Sequence, residues 1–160
     1  MARKFTKTST TVDLERLSSK HTPEILEYLK CQTFNCGFAD DFWTEEEIND
    51  WFSNLDDYCI GAFIDRKLIG FCITHHHKES NKVHLENIYV VEDHRKKDVA
   101  TKMLDAIESY YRKHNKKIRY VGLVNSDNCS AVNLLIKNGF LVGKNMLWIQ
   151  KTSEKSEGEG

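Results

Sequence analysis

The chain has 160 residues, 40% of them apolar, which is enough for one buried core and too little for two ordinary domains. Its 23 basic and 24 acidic residues nearly cancel to a net charge of −1, so no overall charge draws it to nucleic acid or to a membrane surface. No apolar run approaches the ~20 residues that span a bilayer, the Met1-Ala2-Arg3-Lys4-Phe5 start lacks the apolar stretch of a secretory leader, and the scattered cysteines fit reduced thiols, so a cytoplasmic location is expected.

Residues 11–17 read as a first strand. Pro23 stands where a helix can begin, with Ile25, Leu26, Leu29 and Phe34 as its apolar stripe. Thr44 followed by Glu47 is a capping-box pattern and opens a second helix carrying Ile48, Trp51 and Phe52. The apolar runs 58–64 and 68–74, joined by Asp65-Arg66-Lys67, predict a hairpin. A polar turn over 78–82 leads to a strand over 83–91. Beyond it Val99, Ala100, Met103, Leu104, Ile107, Tyr110 and Tyr111 recur at helical spacing. Residues 116–124 form another predicted strand. Ser126 or Asp127 can cap a further helix with Ala131, Leu134 and Leu135 inside, ended by Asn138-Gly139. Residues 140–142 and 146–149 predict a last antiparallel pair. A single domain over 1–152 is expected, with a polar tail over 153–160 that can bury nothing. The order predicts a mixed α/β (α+β) fold, a mostly antiparallel twisted sheet of about seven strands flanked by about four helices.

The most informative stretch joins the strand over 83–91 to the helix that begins near Val99. Between them lies a basic turn, Arg95-Lys96-Lys97-Asp98, and such a junction aims backbone N–H groups and a positive helix end at one spot, which suits phosphate. The run Arg95-Lys96-Lys97-Asp98-Val99-Ala100 resembles the acetyl-CoA motif of the GCN5-related N-acetyltransferase (GNAT) superfamily: Arg or Gln, two residues, Gly, one residue, then Gly or Ala. Asp98 stands where that pattern has Gly. A second run, from Asn125 through Asn128, Ala131 and Leu135 to Gly139-Phe140, resembles the superfamily's other signature, with Leu135 where many members carry a tyrosine acid.

The resemblance implies a transferase that moves an acetyl group from acetyl-CoA to a primary amine. Backbone groups of Ile88, Tyr89 and Val90 would pair with the pantetheine arm. The turn of Lys96, Lys97, Asp98, Val99, Ala100 and Thr101, with Arg95, would hold the pyrophosphate, and Asn128 would lie near the pantetheine. Asp98 brings a negative charge toward that pyrophosphate, although Asp is among the residues that tolerate left-handed backbone, and its side chain could turn away to cap the helix. With Leu135 unable to act as an acid, Tyr89, Tyr120, Ser130 or a water is left to protonate the thiolate, whose parent thiol resembles Cys at a pKa of about 8.5 and so leaves without strong help.

The incoming amine needs a base, since an alkyl ammonium has a pKa of about 10.4. Glu86 stands where polyamine-type members carry a glutamate, and His84, two residues earlier on the same strand face, stands where histone-type members carry their base. Leu123 occupies a position that many ribosomal-protein N-terminal acetyltransferases fill with Glu. Asp40, Asp41, Glu45, Glu46, Glu47, Asp50, Asp56 and Asp57 form an acidic stretch interleaved with Phe38, Phe42, Trp43, Trp51 and Phe52; the resemblance implies that this segment borders the acceptor cleft, so a cationic amine, a small amine or polyamine or a protein amine, is the expected acceptor. No metal is expected: His75 and His77 share a strand face, and two ligands do not make a site. Nucleic-acid and membrane partners are not expected, and pairing of two copies stays open. The rival expectation is a module that keeps the fold and binds acyl-CoA or a protein without turnover.

Overall fold

The computed structural model describes residues 10–30, 43–114 and 117–144. The elements run β1 (Asp13–Arg16), α1 (Thr22–Lys30), α2 (Glu45–Ser53), β2 (Ile60–Ile64), β3 (Lys67–His77), β4 (Lys82–Val90), α3 (Val99–His114), β5 (Arg119–Gly122) and α4 (Cys129–Lys137). One sheet orders them β1-β2-β3-β4-β5. The first four strands are antiparallel, and β5 joins β4 in parallel after the α3 crossover.

Local chemistry accounts for several boundaries. Thr44 and Glu47 make the reciprocal cap expected of them: Thr44 Oγ1 accepts from the Glu47 N–H at 3.2 Å, and the Glu47 carboxylate accepts from the Thr44 N–H at 2.7 Å. The hairpin between β2 and β3 turns on two residues, Asp65 (φ 50°) and Arg66 (φ 66°). Two left-handed residues in succession match the right-handed twist of the flanking strands. The last helix departs from expectation, because Asn128 caps it in place of Ser126 or Asp127 and accepts from the Ala131 N–H at 3.2 Å. Asn125 is the reason: its side chain accepts the Asp127 N–H and its carbonyl the Asn128 N–H, and this turn delays the helix to Cys129.

The described residues hold five strands where about seven were expected. Residues 140–142 are not in a strand, and Leu141 is 96% exposed. A strand exists by pairing, and its expected partner over 146–149 lies outside the described residues, as do Phe34 and the tail.

The sheet separates two cores. On one face α3 lays Val99, Met103, Leu104, Ile107 and Tyr111 over Ile60, Ala62, Ile69, Cys72, Val83 and Leu85. On the other, α1 and α2 bring Ile25, Ile48 and Phe52 onto Cys59, Phe63, Leu68, Phe71 and Ile73. An irregularity in β4 decides what the second face displays. Thr74 pairs with Leu85 and Ile73 with Asn87, so Glu86 has no residue opposite it and β4 bulges there. Val83 and Leu85 before the bulge, and Ile88 and Val90 after it, all pack toward α3. His84, Glu86, Asn87 and Tyr89 are thereby left to the α1–α2 face.

Candidate active site

β5 accompanies β4 only from Lys82↔Arg119 to Leu85↔Gly122. From Glu86 onward, no strand among the described residues covers that edge of β4. The Val91 N–H donates to the Ile69 carbonyl at 2.8 Å, so strand alternation turns the amides of Tyr89 toward β3 and those of Ile88 and Val90 toward the open side. Gly70, opposite Val90, permits this close register: a Cβ there would stand 2.8 Å from the Tyr89 carbonyl oxygen.

The strand runs into the basic turn. Arg95 folds back on it, Nε donating to the Val90 carbonyl at 2.8 Å and the guanidinium lying 5.6 Å from the centre of the Tyr89 ring. Lys97 Nζ donates to the Asp93 carbonyl at 2.8 Å, and Lys96 is exposed. Lys96 (φ 58°) and Asp98 (φ 59°) both adopt left-handed backbone, the conformation glycine would take without strain. Asp98 does not cap α3; its carboxylate points to α4, where Lys137 Nζ lies at 3.4 Å. The Lys102 N–H is the first in α3 to bond backward, to the Asp98 carbonyl at 2.9 Å. The amides of Val99, Ala100 and Thr101 therefore lie ahead of the helical ladder at its positive end. Thr101 Oγ1 accepts from Asn138 Nδ2 at 3.3 Å, which ties the end of α4 to the same place. Asn128 is exposed, with its side-chain oxygen engaged as the α4 cap.

His84 and Glu86 meet beside the bulge. His84 Nδ1 lies 2.9 Å from Glu86 Oε1, an ion-pair distance without straight hydrogen-bond alignment, and both side chains are about three-quarters covered, at 26% and 22% exposure. The carboxylate raises the His84 pKa above the ordinary imidazole value, against burial, which lowers it. Leu135 packs against the α3 core. Of the other candidate acids, Tyr89 packs its ring among Tyr28 and Phe71, and the buried Tyr120 hydroxyl has no partner among the described residues, its pKa pushed up to about 12 by burial. Ser130 is exposed in the first turn of α4. The buried thiols are poor nucleophiles: burial pushes Cys59 up to about 12 and raises Cys72 as well.

A second carboxylate–imidazole pair was not singled out from the sequence. Asp57, its side chain fully buried, accepts from the His76 N–H at 2.8 Å and from Asn54 Nδ2 at 3.2 Å, and its Oδ2 lies 3.0 Å from His75 Nδ1. His75 lines a cleft of about 350 Å³ with Glu47, Asp50, Trp51, Asn54 and Asp57. Glu47, Asp50 and Asp57 of the acidic stretch thus meet the β3–β4 face there, where His75 is the register partner of His84, while Phe38, Asp40, Asp41 and Phe42 lie outside the described residues. No local pattern joins Asp57 to His75, eighteen residues apart; only the packing of α2 against β3 does. Among the described residues no group of three or more His, Cys, Asp or Glu side chains could hold a metal ion, and no helix is long and apolar enough to cross a membrane.

An open, mostly antiparallel sheet whose fourth strand leaves an edge bare just before a turn of free amides defines the acetyltransferase class of fold. Solved structures share it. The PaiA N-acetyltransferase of Thermoplasma acidophilum, in complex with coenzyme A, superposes with a TM-score of 0.72 at 22% identity, over 85% of this chain and 93% of that one. The aminoglycoside N-acetyltransferase AAC(6')-Iy in complex with CoA gives 0.70 at 15% identity, over 93% of this chain and 100% of that one. Ribosomal-protein-alanine N-acetyltransferase from Brucella melitensis biovar Abortus 2308 gives 0.65 at 16% identity, over 88% and 100%. No curated protein matches the chain in sequence. The sequence profile of the Acetyltransferase (GNAT) family matches residues 22–140, and the chain belongs to that family. It is an enzyme of the acyltransferase class.

Proposed function

We propose that this protein transfers the acetyl group of acetyl-CoA to the primary amine of a small cationic molecule or a protein, by direct attack of the amine on the thioester. The observation that carries the proposal is the bare β4 edge at Ile88 and Val90, continuous with the left-handed turn and the free amides of Val99, Ala100 and Thr101, with the His84–Glu86 pair on the same strand.

Acetyl-CoA supplies an activated acyl group and a thiol that leaves readily. The residues of this chain do the rest. Outward amides of Ile88 and Val90 offer partners to an extended amide-bearing arm, as an edge strand does for any added strand. The 95–101 turn meets phosphate with N–H groups, and Lys96 and Lys102 offset the charge of Asp98, which Lys137 already draws aside. His84, its proton affinity set by Glu86, accepts the proton that the ammonium must lose before its lone pair can attack. A β4 amide near the bulge meets the negative charge that grows on the acyl oxygen. Leu135 supplies no acid, and a thiol of pKa about 8.5 departs without one.

The test is release of free thiol from acetyl-CoA with spermidine, N-acetyl-lysine amide and short unblocked peptides as acceptors, alongside calorimetric binding of CoA. Turnover with any of them supports the assignment. CoA binding without turnover favours a binding module, for which Leu135 in the α3 core and the anion at Asp98 are the supporting features. Neither binding nor turnover ends the proposal.

A further inference from the structure

We propose that His75, oriented by Asp57, is the residue that reads the acceptor's ammonium group: it presents the imidazole Nε2 lone pair to an N–H of the amine in the cleft between α2 and β3. This rests on the transferase reading above and adds to it a recognition residue on the acceptor side.

The tautomer follows from the surroundings of Asp57. Its carboxylate already accepts from the His76 N–H and from Asn54 Nδ2 and has no hydrogen to give, so His75 Nδ1, 3.0 Å away, must carry the proton between them. In the neutral ring Nε2 is then an acceptor, and among the described residues it has no partner. Asp57 is fully buried while the His75 side chain is 34% exposed, so the buried member holds and the other faces the cleft. Beyond Nε2 the cleft offers Glu47 and Asp50 from α2 for positive charge and Trp51 for a cation's apolar neighbour. The register that pairs His75 with His84 sets this cleft one strand away from the His84–Glu86 pair, on the same face of the sheet.

The cleft brings Glu47 and Asp50 from α2 and Asp57 from the segment after it beside His75, whose ring centre lies 4.5 Å from that of His77 on its own strand. His75 is thus a binding residue and Asp57 a positioning residue, and their signature lies in the amine KM, whereas His84 and Glu86 act on kcat.

The experiment measures kcat and KM for whichever of spermidine, N-acetyl-lysine amide or an unblocked peptide the wild type acetylates, with CoA affinity by calorimetry. His75→Gln keeps an acceptor oxygen, so its KM stays near the wild-type value. His75→Leu raises KM about tenfold, the size of one lost charge-assisted hydrogen bond of about 1.4 kcal/mol, with kcat and CoA affinity kept. A His75→Leu enzyme whose KM is unchanged, or one changed in kcat alone, overturns the inference while leaving the transferase intact. A wild type that acetylates none of the amines overturns the transferase reading and this inference with it.

Discussion

The two sides of β4 make their proposed sites in opposite ways. Along its open edge and the following turn the proposed contact groups are main-chain amides, fixed by strand alternation and by the left-handed residues Lys96 and Asp98. On the α1–α2 face the groups are side chains, His84 with Glu86 and His75 with Asp57, held by cross-strand register and by burial. The difference teaches which substitutions each can absorb. A backbone cradle accepts an aspartate at a glycine position provided the backbone keeps its turn and the side chain swings away, as Asp98 does toward Lys137. A side-chain site has no such tolerance, because the functional atoms are the ones that change.

The sharpest way to test this contrast is Glu86→Gln, which leaves the strand in place and removes one charge. Removing the base itself, in His84→Ala, is expected to cost about 10²-fold in kcat/KM, the size of a general-base contribution, and Glu86→Gln less, because the imidazole remains. The sign of the pH effect follows from the pair: Glu86 holds the His84 pKa above the ordinary imidazole value, so the base form appears only as pH rises through that higher value. Without the carboxylate the acid limb of the pH–rate profile moves to lower pH. A limb that stays put, or moves upward, removes His84 from the role of base.

Next in size is Gly70→Ala, which adds one methyl on the far side of β4. Its Cβ would lie 2.8 Å from the Tyr89 carbonyl oxygen, so the strand must shift, at a cost of about 1–3 kcal/mol typical of overpacking. Denaturant melts should show that loss, and calorimetry should show weakened CoA binding, since the outward amides of Ile88 and Val90 move with the strand. Unchanged CoA affinity in a destabilised variant would separate the edge from the cofactor.

Asp98→Gly tests the cradle from the side-chain direction. Removing one negative charge near phosphate is worth about 1 kcal/mol at ~4 Å in water, or about fivefold tighter CoA binding, with no loss of stability because glycine adopts φ 59° freely. Weaker binding would mean that the carboxylate contributes a contact of its own. Lys137→Ala is expected to do least: the pair with Asp98 is about 70% exposed on both sides, so stability should change by less than about 0.5 kcal/mol in the same melts.

Much of the fold was legible from local chemistry. The Thr44–Glu47 box, the stripe from Val99 to Tyr111 and the hairpin around Asp65-Arg66 each depend on residues a few positions apart, and the structure places an element at each. The motif at 95–100 located the turn, and the left-handed backbone at Asp98 occupies the position where the motif has glycine. The Asp57–His75 pair was not legible. In the sequence, Asp57 is one acid in a long acidic stretch and His75 one member of a histidine triplet, and neither context marks a pair. The start of α4 was misjudged for a related reason: Ser126, Asp127 and Asn128 are all good caps, and the Asx turn of Asn125 chose among them.

By itself the sequence determined the order of elements from β1 to α4, the faces they bury and the family, because periodicity, caps and short motifs act over one or two turns of chain. Tertiary structure alone decided that β5 stops at Gly122 and leaves Ile88 and Val90 without a neighbouring strand among the described residues, that β4 bulges at Glu86, and that Asp57 reaches His75. Each of these depends on the register between strands or the packing of a helix on a sheet. Such distances are set when remote segments meet, and no stretch of neighbouring residues encodes them.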